Sequence, residues 1–197
     1  RDLTVPETIV SPLCFSADPG YQREFATQVA QRLGFPMVAK LAFGSLGQQV
    51  KLIHTEKELQ ECCAEWWGQP YLFQKYIASS KGRDLRIYVV DGNAVAAMER
   101  SNETDFRSNI GAGGHGKAVI PPTGFAEAAI DACALLGLDF GGVDLLYGPM
   151  GEPILCEVNS NALFNELNVV CDVQIEKHIA EAVRKEQSPR DFSSVPF

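Results

Sequence analysis

The spacing of apolar residues along the chain predicts four helices. They cover residues 21–33, 55–67, 124–136 and 172–186. In the first, Phe25, Val29 and Leu33 recur at the four-residue spacing that places side chains on one helix face, and Gly34 ends the pattern. In the second, Thr55-Glu56-Lys57-Glu58 has the arrangement of a capping box, which favours a helix start at this point.

Shorter apolar stretches between these helices predict strands. They cover residues 35–41, 50–54, 71–77, 84–90, 94–100, 141–147 and 154–160. The turn signal Asp91-Gly92-Asn93 separates two of them and predicts a hairpin. The polar stretch 78–82 is interpreted as a junction between two lobes, and the glycine-rich stretch 101–117 as a loop or lid. Helices mixed with antiparallel hairpins predict an α+β or mixed α/β fold.

The junction divides the chain into two predicted lobes, residues 1–77 and 78–190, followed by a tail at 191–197. A chain of 197 residues is long enough for one sizeable core, or for two lobes of roughly 80 to 110 residues each. The end of the chain after Ser188 is predicted to be disordered. The sequence starts at Arg1 without a methionine, and we expect a preceding N-terminal domain to be absent from this chain.

Composition and charge restrict the function classes. Hydrophobic content of 46% with 21% charged residues is typical of a soluble globular domain. No signal peptide or membrane-length apolar run is visible, so we expect a cytoplasmic protein without a membrane partner. The six cysteines contain no C-x-x-C pair and are expected to be buried free thiols rather than zinc ligands. A net charge of −8 argues against a broad nucleic-acid surface but leaves room for a local basic pocket.

Two apolar segments near the end of the chain carry the most informative polar residues. If they form a hairpin centred near Met150 and Gly151, Asp144 lies opposite Glu157, and the period of two places Asn159 on the same face. Opposed carboxylates cost stability in a sheet, and a divalent cation removes that cost. Oxygen-only ligands suit Mg²⁺ or Mn²⁺ better than zinc. An exposed hairpin face with ordinary surface acids is the alternative that the spacing leaves open.

Basic residues beside glycines form the second candidate feature. Lys40 ends a predicted strand just before Gly44-Ser45-Leu46-Gly47, so it can reach a phosphate while loop N–H groups surround it. Arg100 and Arg107 lie before the glycine-rich stretch 111–114, as expected where an anionic substrate is enclosed. A lysine extending from a strand end to solvent, and a mobile loop with solvated charges, are the structural alternatives.

Six motifs occur in a fixed order along the chain. They are Lys40 with its glycine loop, F-Q-K-Y-I at 73–77, G-R-D-L-R at 82–86, D-F-R-S-N at 105–109, G-V-D-L-L at 142–146 and E-V-N-S-N at 157–161. From about Val5 to Arg184 the chain resembles the ATP-grasp domain of RimK-like α-L-glutamate ligases. The resemblance implies an α+β ATP-grasp fold, in which two α+β lobes with antiparallel sheets hold ATP between them.

The resemblance also implies a role for each motif. ATP phosphates would be bound by Lys40, Gly44, Ser45 and Gly47 from one lobe and by Arg107, Ser108 and Asn109 from the other. Lys75, Tyr76 and Ile77 would contact the adenine, largely through backbone groups, and Asp84 would hydrogen-bond the ribose. Asp144, Glu157 and Asn159 would bind two magnesium ions, with manganese as an alternative. Arg100, together with Arg107, would be catalytic and stabilise an acyl phosphate.

The implied activity is ATP-dependent ligation of a carboxylate to an amine through an acyl phosphate. The partners are then a carboxylate substrate, an amino-acid or amine acceptor such as glutamate, and the missing N-terminal domain; a homo-oligomer stays open. After Asn159 the sequence continues Ser160-Asn161-Ala162, where the family commonly has Ser-Pro-Gly. The acceptor therefore stays open, as does a second interpretation, a non-catalytic regulatory domain that binds ATP.

Overall fold

The computed structural model of the protein describes residues 2–12, 19–44, 47–109, 111 and 113–187. Three of the sequence predictions fall outside these ranges: Ser45 of the glycine loop, Cys14, and the tail at 191–197. The other five cysteines are free thiols, of which Cys62, Cys63 and Cys133 are buried and Cys156 and Cys171 half-buried. None of the helices in the described ranges combines the length and apolar character needed to cross a membrane.

The first half of the chain folds around a four-stranded sheet. Its elements are β1 (Thr8–Val10), α1 (Pro19–Leu33), β2 (Met37–Leu41), β3 (Val50–Ile53), α2 (Glu56–Glu65) and β4 (Tyr71–Lys75). The strand order is β1-β4-β2-β3, and every pair is antiparallel. The predicted capping box is present at the start of α2, because the Glu58 N–H donates to the Thr55 hydroxyl and the His54 N–H donates to the Glu58 carboxylate.

Helices α1 and α2 cover one face of this first sheet. Val29 of α1 and Leu59 of α2 are fully buried against Met37, Ala39 and Phe73 of the strands. The alternation of a strand sends the next residues to the opposite face. That face is therefore left uncovered by helices, and it carries a lysine at position 40.

The second half of the chain builds a five-stranded sheet. After a short 3₁₀ turn (Ala78–Ser80), its elements are β5 (Arg83–Val90), β6 (Asn93–Ser101), β7 (His115–Ala118), α3 (Phe125–Leu135), β8 (Phe140–Tyr147), β9 (Pro153–Asn159), α4 (Asn165–Cys171) and α5 (Ile175–Gln187). The order is β7-β6-β5-β8-β9, again antiparallel throughout. Asp91 and Gly92 join β5 to β6 with φ values of 49° and 70°, as a tight hairpin turn requires.

The two faces of the second sheet are covered to different extents. Helix α3 packs Phe125 and Ala129 against Leu85, Ile87 and Val143 on one face. On the other face, Leu167 of α4 and Ile175 of α5 pack against residues toward the ends of β5 and β6 that lie away from the first sheet. The remaining part of this face is left for the polar residues described below. The predicted α+β arrangement of two antiparallel sheets with helices is confirmed.

Two connections hold the sheets together. The N-terminal segment crosses between them, since Leu3 packs against the core of the second sheet and the Leu155 N–H donates to the Thr4 carbonyl, whereas β1 pairs with β4 of the first sheet. The 3₁₀ turn is fastened to β8, because the Ser79 hydroxyl donates to the Tyr147 carbonyl and the Tyr147 N–H donates to the Ser80 hydroxyl. The predicted boundary between two lobes at residues 77 and 78 stays a prediction. Leu3 and Thr4, which belong to the first predicted lobe, contact the second sheet.

Four elements differ from the sequence prediction, of which the first is β1, a strand in a stretch where none was predicted. Helix α4 lies in a stretch for which no helix was predicted, and α5 begins at Ile175 rather than 172 because Asp172, with φ of 50°, ends α4. Strand β7 lies inside the predicted loop 101–117. Its sequence, His-Gly-Lys-Ala, has no alternation of apolar and polar residues, so only pairing with β6 makes it a strand.

We expect Ser80→Ala to lower the free energy of unfolding by about 1–3 kcal/mol, because it leaves the buried Tyr147 N–H without an acceptor. Urea denaturation followed by circular dichroism measures this change. Ser101→Ala is the control, since it removes the same hydroxyl from an exposed position and should change stability by less than about 0.5 kcal/mol. Equal changes in the two variants would contradict the role assigned to Ser80.

Candidate active site

The uncovered faces of the two sheets enclose a cleft of about 510 Å³. Every described residue of the predicted site lines it: Lys40, Gly44, Gly47, Lys75, Tyr76, Ile77, Asp84, Arg100, Arg107, Ser108, Asn109, Asp144, Glu157 and Asn159. These residues come from separate motifs, and the two antiparallel sheets bring them together. Their individual roles toward a ligand stay predictions.

Strand register explains how the second sheet assembles its polar wall. Asp144 of β8 lies directly between Arg86 of β5 and Glu157 of β9, so the three share one row across the sheet. Asn159 projects to the same face, where its amide donates to the Glu157 carboxylate at 2.9 Å. The predicted convergence of Asp144, Glu157 and Asn159 on one patch is therefore what the strand pairing produces.

The hairpin that carries this patch contains a bulge. Near the turn, Tyr147 pairs with Pro153 and Leu145 pairs with Leu155, a register centred on Met150 alone. The register shifts before Asp144 pairs with Glu157, which leaves Cys156 as the extra residue. From Tyr147 onward, a symmetric turn about Met150 and Gly151 would contain one residue more than the observed turn. The bulge adds that residue back in the strand, and Asp144 therefore pairs with Glu157 as predicted.

A buried ionic network connects Asp144 to the neighbouring strands. Arg86 donates to both oxygens of Asp144, with Nε to Oδ1 at 2.7 Å and Nη2 to Oδ2 at 2.6 Å. Arg100 donates to both oxygens of Asp84 and also reaches Asp144 Oδ2 at 2.9 Å. Arg100 and Asp144 are 4% and 2% exposed, so these charges depend on one another rather than on water for stabilisation.

The network gives the carboxyl groups in and beside it different pKa values. Burial alone would raise the pKa of Asp144, but Arg100 and Arg86 outweigh it and lower the pKa to about 2. Burial raises the pKa of Asp84, which has only Arg100 as a guanidinium partner. The surrounding protein atoms remove part of the water around the Glu157 carboxyl and so raise its pKa, and the charge of Asp144 raises it further. The rest of this side chain is exposed to the open cleft. A cation bound beside Glu157 would therefore lower the pKa of this carboxyl and favour its charged form.

The first sheet contributes a cation from across the cleft. Lys40 Nζ lies 3.6 Å from Cys156 Sγ, and no acidic side chain among the described residues pairs with it. Burial raises the pKa of the Cys156 thiol to about 11, so its partner is a neutral sulfur. The ammonium of Lys40 is thus available for an anion inside the cleft, as the sequence predicted for a phosphate contact.

The glycine loop and the arginine segment meet beside the cleft. Arg107 Nη1 donates to the Gly47 carbonyl at 2.6 Å, and its Nη2 pairs with Asp105 at 2.7 Å. Gly47 has φ of +70°, and a Cβ there would lie 2.9 Å from Asn109 Oδ1. The positive φ favours glycine at position 47, and a side chain there would also require Asn109 to move.

The predicted adenine-contacting residues lie where β4 leaves the first sheet. The Lys75 N–H donates to the Glu7 carbonyl, and the Ile77 carbonyl accepts from the Ser80 N–H, so both ends of this stretch are fixed. The Tyr76 ring meets Phe106 edge-on, with ring centroids 6.5 Å apart. Its hydroxyl is buried without a hydrogen-bond partner in the part of the chain that the structure describes.

Several cleft residues were missed by the sequence analysis, and Arg86 is the most consequential. The period of two from Asp84 places Arg86 on the same face of β5, so the motif G-R-D-L-R contained the signal. Cys156 enters the cleft through the bulge, which no pattern in the sequence indicates. Over the described ranges, no three His, Cys, Asp or Glu side chains gather as a metal site. The candidate metal ligands are two carboxylates and a carboxamide, an oxygen set that suits Mg²⁺.

The charge of the cleft is opposite to that of the whole chain. Its lining residues include six cations, Lys40, Lys75, Arg83, Arg86, Arg100 and Arg107, against three carboxylates, Asp84, Asp144 and Glu157. The chain as a whole carries −8. A local excess of positive charge enclosed by low-dielectric walls concentrates anionic ligands.

Close packing behind the site generates a prediction about Gly142. A Cβ at Gly142 would lie 2.5 Å from the Cβ of Ala162, so Gly142→Ala should lower the free energy of unfolding by about 1–3 kcal/mol. The double variant with Ala162→Gly removes the clash and should recover most of the loss. Urea denaturation of the two single variants and the double variant measures this coupling. Additive losses would show that the two residues do not compete for the same space.

Comparisons with known proteins agree with this architecture. A model of the RimK-like ATP-grasp domain matches residues 10–183. The chain is 34% identical to human N-acetylaspartylglutamate synthase A over 82% of its own length and 42% of that protein. It is 32% identical to a probable alpha-L-glutamate ligase of Syntrophotalea carbinolica over 89% of its own length and 58% of that protein. The chain thus spans about half the length of these relatives.

A solved structure shares the fold at lower sequence identity. The ATP-grasp ligase PsnB, in complex with a variant of its minimal precursor, Mg and ADP, superimposes with a TM-score of 0.67 at 21% identity. The match covers 94% of this chain and 55% of PsnB. The family match over most of the chain, the identity to curated relatives and the two facing sheets lead to one conclusion: this chain belongs to the RimK-like ATP-grasp domain family.

Proposed function

We propose that this chain carries the ATP- and magnesium-binding half of a ligase that joins a carboxylate to an amine. The observation that carries the proposal is the cleft itself. One wall presents Lys40 with no acidic partner among the described residues, and the other presents Asp144, Glu157 and Asn159 beside two arginines. An oxygen-rich cation site next to unneutralised positive charge suits a magnesium–polyphosphate ligand.

Different residues of the cleft would bind different parts of the ligand. Lys40 and Arg107 would contact the phosphates from opposite lobes, Tyr76 and its neighbours would hold the base, and Asp84 would hold the ribose. Asp144, Glu157 and Asn159 would hold two magnesium ions or, as an alternative, manganese. When bound, the ions neutralise phosphate charge as the phosphoryl group transfers. Positioning by fixed charges accounts for most of the rate enhancement in such chemistry, because the protein supplies no covalent step.

The proposed reaction proceeds in two steps. A substrate carboxylate oxygen attacks the γ-phosphorus, the bond to the bridging oxygen breaks, and ADP leaves. The amine nitrogen of the acceptor then attacks the carbonyl carbon of the acyl phosphate, inorganic phosphate leaves with the bonding electrons, and the amine loses a proton. Arg100 stabilises the phosphate charge in both steps. The cover at Gly47 and Arg107 keeps water away from the acyl phosphate.

The acceptor is proposed to be glutamate or another amino acid, added to a peptide, a protein or a small-molecule carboxylate. Two relatives support the acidic amino acid, since their names are N-acetylaspartylglutamate synthase A and probable alpha-L-glutamate ligase. Release of ADP in the presence of single amino acids, measured on full-length protein, identifies the acceptor. A regulatory domain would bind ATP and release no ADP with any of them.

Glu157→Gln should reduce magnesium-dependent ADP release by at least about a hundredfold, because it removes a charge that holds the cation during phosphoryl transfer. The matched control is Glu152→Gln in the turn of the same hairpin, where the carboxylate accepts from the Met150 N–H. The control should retain near-normal turnover. Similar losses in both variants would indicate a general effect on the hairpin instead of a metal ligand.

Lys40→Ala should weaken ATP binding by about 10- to 150-fold, the effect of losing one charged hydrogen bond, and leave adenosine binding unchanged. Isothermal titration calorimetry with the two ligands separates the phosphate contribution from the base contribution. Lys51→Ala serves as the control, because Lys51 lies on the helix-covered side of the same sheet, 4.9 Å from the Trp66 ring centroid. An equal loss for ATP and adenosine would contradict a phosphate contact by Lys40.

A further inference from the structure

The side chain of Arg86 occupies the position of greatest interest in the cleft. It is 16% exposed, lines the cleft, and holds both oxygens of Asp144 in a bidentate pair. Asp144 is also the central residue of the candidate metal ligands, directly opposite Glu157. Asp144 thus pairs with the Arg86 guanidinium in the structure, while the proposed function requires the same carboxylate to bind a cation.

These two requirements conflict. A divalent cation bound to Asp144 Oδ1 or Oδ2 would lie close to the Arg86 nitrogens, which are 2.7 and 2.6 Å from these oxygens. Like charges at such a separation repel strongly in a site partly removed from water. Arg100 also pairs with a second carboxylate, Asp84, so it keeps a partner if Asp144 turns to a cation. In the part of the chain that the structure describes, the one acidic partner of Arg86 is Asp144, and Arg86 also lines the open cleft.

We propose that Arg86 is an exchangeable positioning residue that neutralises Asp144 until a divalent cation binds, and then turns to the anionic ligand in the cleft. This inference rests on the proposed function, since it requires the metal site at Asp144 and Glu157. The displaced guanidinium has five N–H donors in a planar fork, which suits a phosphate or carboxylate. Cation and anion then bind cooperatively, because each stabilises the arrangement that the other needs.

Arg86 therefore has opposite effects on the two ligands. Without nucleotide it competes with the cation, so its removal should strengthen cation binding. With the cation bound it contacts the anion, so its removal should weaken anion binding. A purely structural role predicts a different result, because an Asp144 that lost its support would bind the cation more weakly or equally well.

The test is a titration of the complete chain with Mn²⁺ alone, followed by electron paramagnetic resonance of the free ion. Arg86→Met should bind Mn²⁺ at least about tenfold more tightly than wild type, since a charge-assisted bidentate pair no longer has to be broken. Arg83→Met is the matched control. It removes the same charge from the same strand and cleft, but the Arg83 guanidinium lies over the Tyr147 ring, 4.1 Å from the centroid.

A second titration measures the anion. With Mn²⁺ at saturation, inorganic pyrophosphate should bind Arg86→Met about tenfold more weakly than wild type. Arg83→Met should weaken it by a clearly smaller factor, since Arg83 adds to the positive charge of the cleft without the proposed contact. Adding Glu157→Gln to Arg86→Met should abolish the gain in Mn²⁺ affinity, which assigns the gain to this site. Arg86→Lys, with one donor group in place of the fork, should lie between wild type and Arg86→Met in both titrations, and it replaces Arg86→Met if thermal unfolding shows that variant to be unfolded.

The outcomes distinguish this inference from the proposed function. An Mn²⁺ affinity at or below the wild-type value in the Arg86 variants, or an unchanged pyrophosphate affinity, overturns the exchange. If wild-type protein saturated with ATP binds no Mn²⁺ and Glu157→Gln makes no difference, the metal site itself is wrong, and the proposed function fails with it.

Discussion

Two carboxylates and two guanidiniums on the second sheet determine which part of that sheet can face the cleft. Asp84, Arg86, Arg100 and Asp144 form one connected set whose formal charges cancel. Removing any member would leave an uncompensated charge away from water, which costs more than the pair contributes. The set lies on the face that α4 and α5 leave uncovered, so the sheet is apolar where helices cover it and ionic where the first sheet faces it across the cleft.

Because that network is neutral, the electrostatic attraction for an anion comes from elsewhere. Outside that network, the cations that line the cleft are Lys40, Lys75, Arg83 and Arg107. Lys40 approaches from the first sheet and lies next to the neutral Cys156 thiol. The first sheet therefore contributes a lysine without an acidic hydrogen-bond partner among the described residues, and the second contributes arginines paired with carboxylates in a defined geometry. An anion bound between them gains from both sheets at once, so its binding is coupled to how closely the sheets approach.

The sequence predicted most of this arrangement where local pattern and pairing agree. Asp91-Gly92 located the central hairpin, Thr55 located the start of α2, and the period of two placed Asn159 with Glu157. It failed where structure arises from distant contacts. Strand β7 exists only through pairing with β6, and the bidentate pair of Arg86 with Asp144 requires two residues 58 positions apart to lie on adjacent strands. Family resemblance supplied the order of motifs but gave no partner for either side chain.

The segment after Asn159 shows how this fold permits variation at its rim. Ala162 is buried against Gly142, and the Phe164 ring meets Tyr88 edge-on at 5.7 Å, so two of its residues fix its path along the sheet. Leu163, between them, is 73% exposed and lines the cleft. Because the anchoring residues alternate with the exposed one, a change at position 163 alters the cleft rim without creating a cavity or a clash in the core. The departure from Ser-Pro-Gly falls on Asn161, which lines the cleft, and on Ala162, which packs against Gly142, beside the row of Arg86, Asp144 and Glu157.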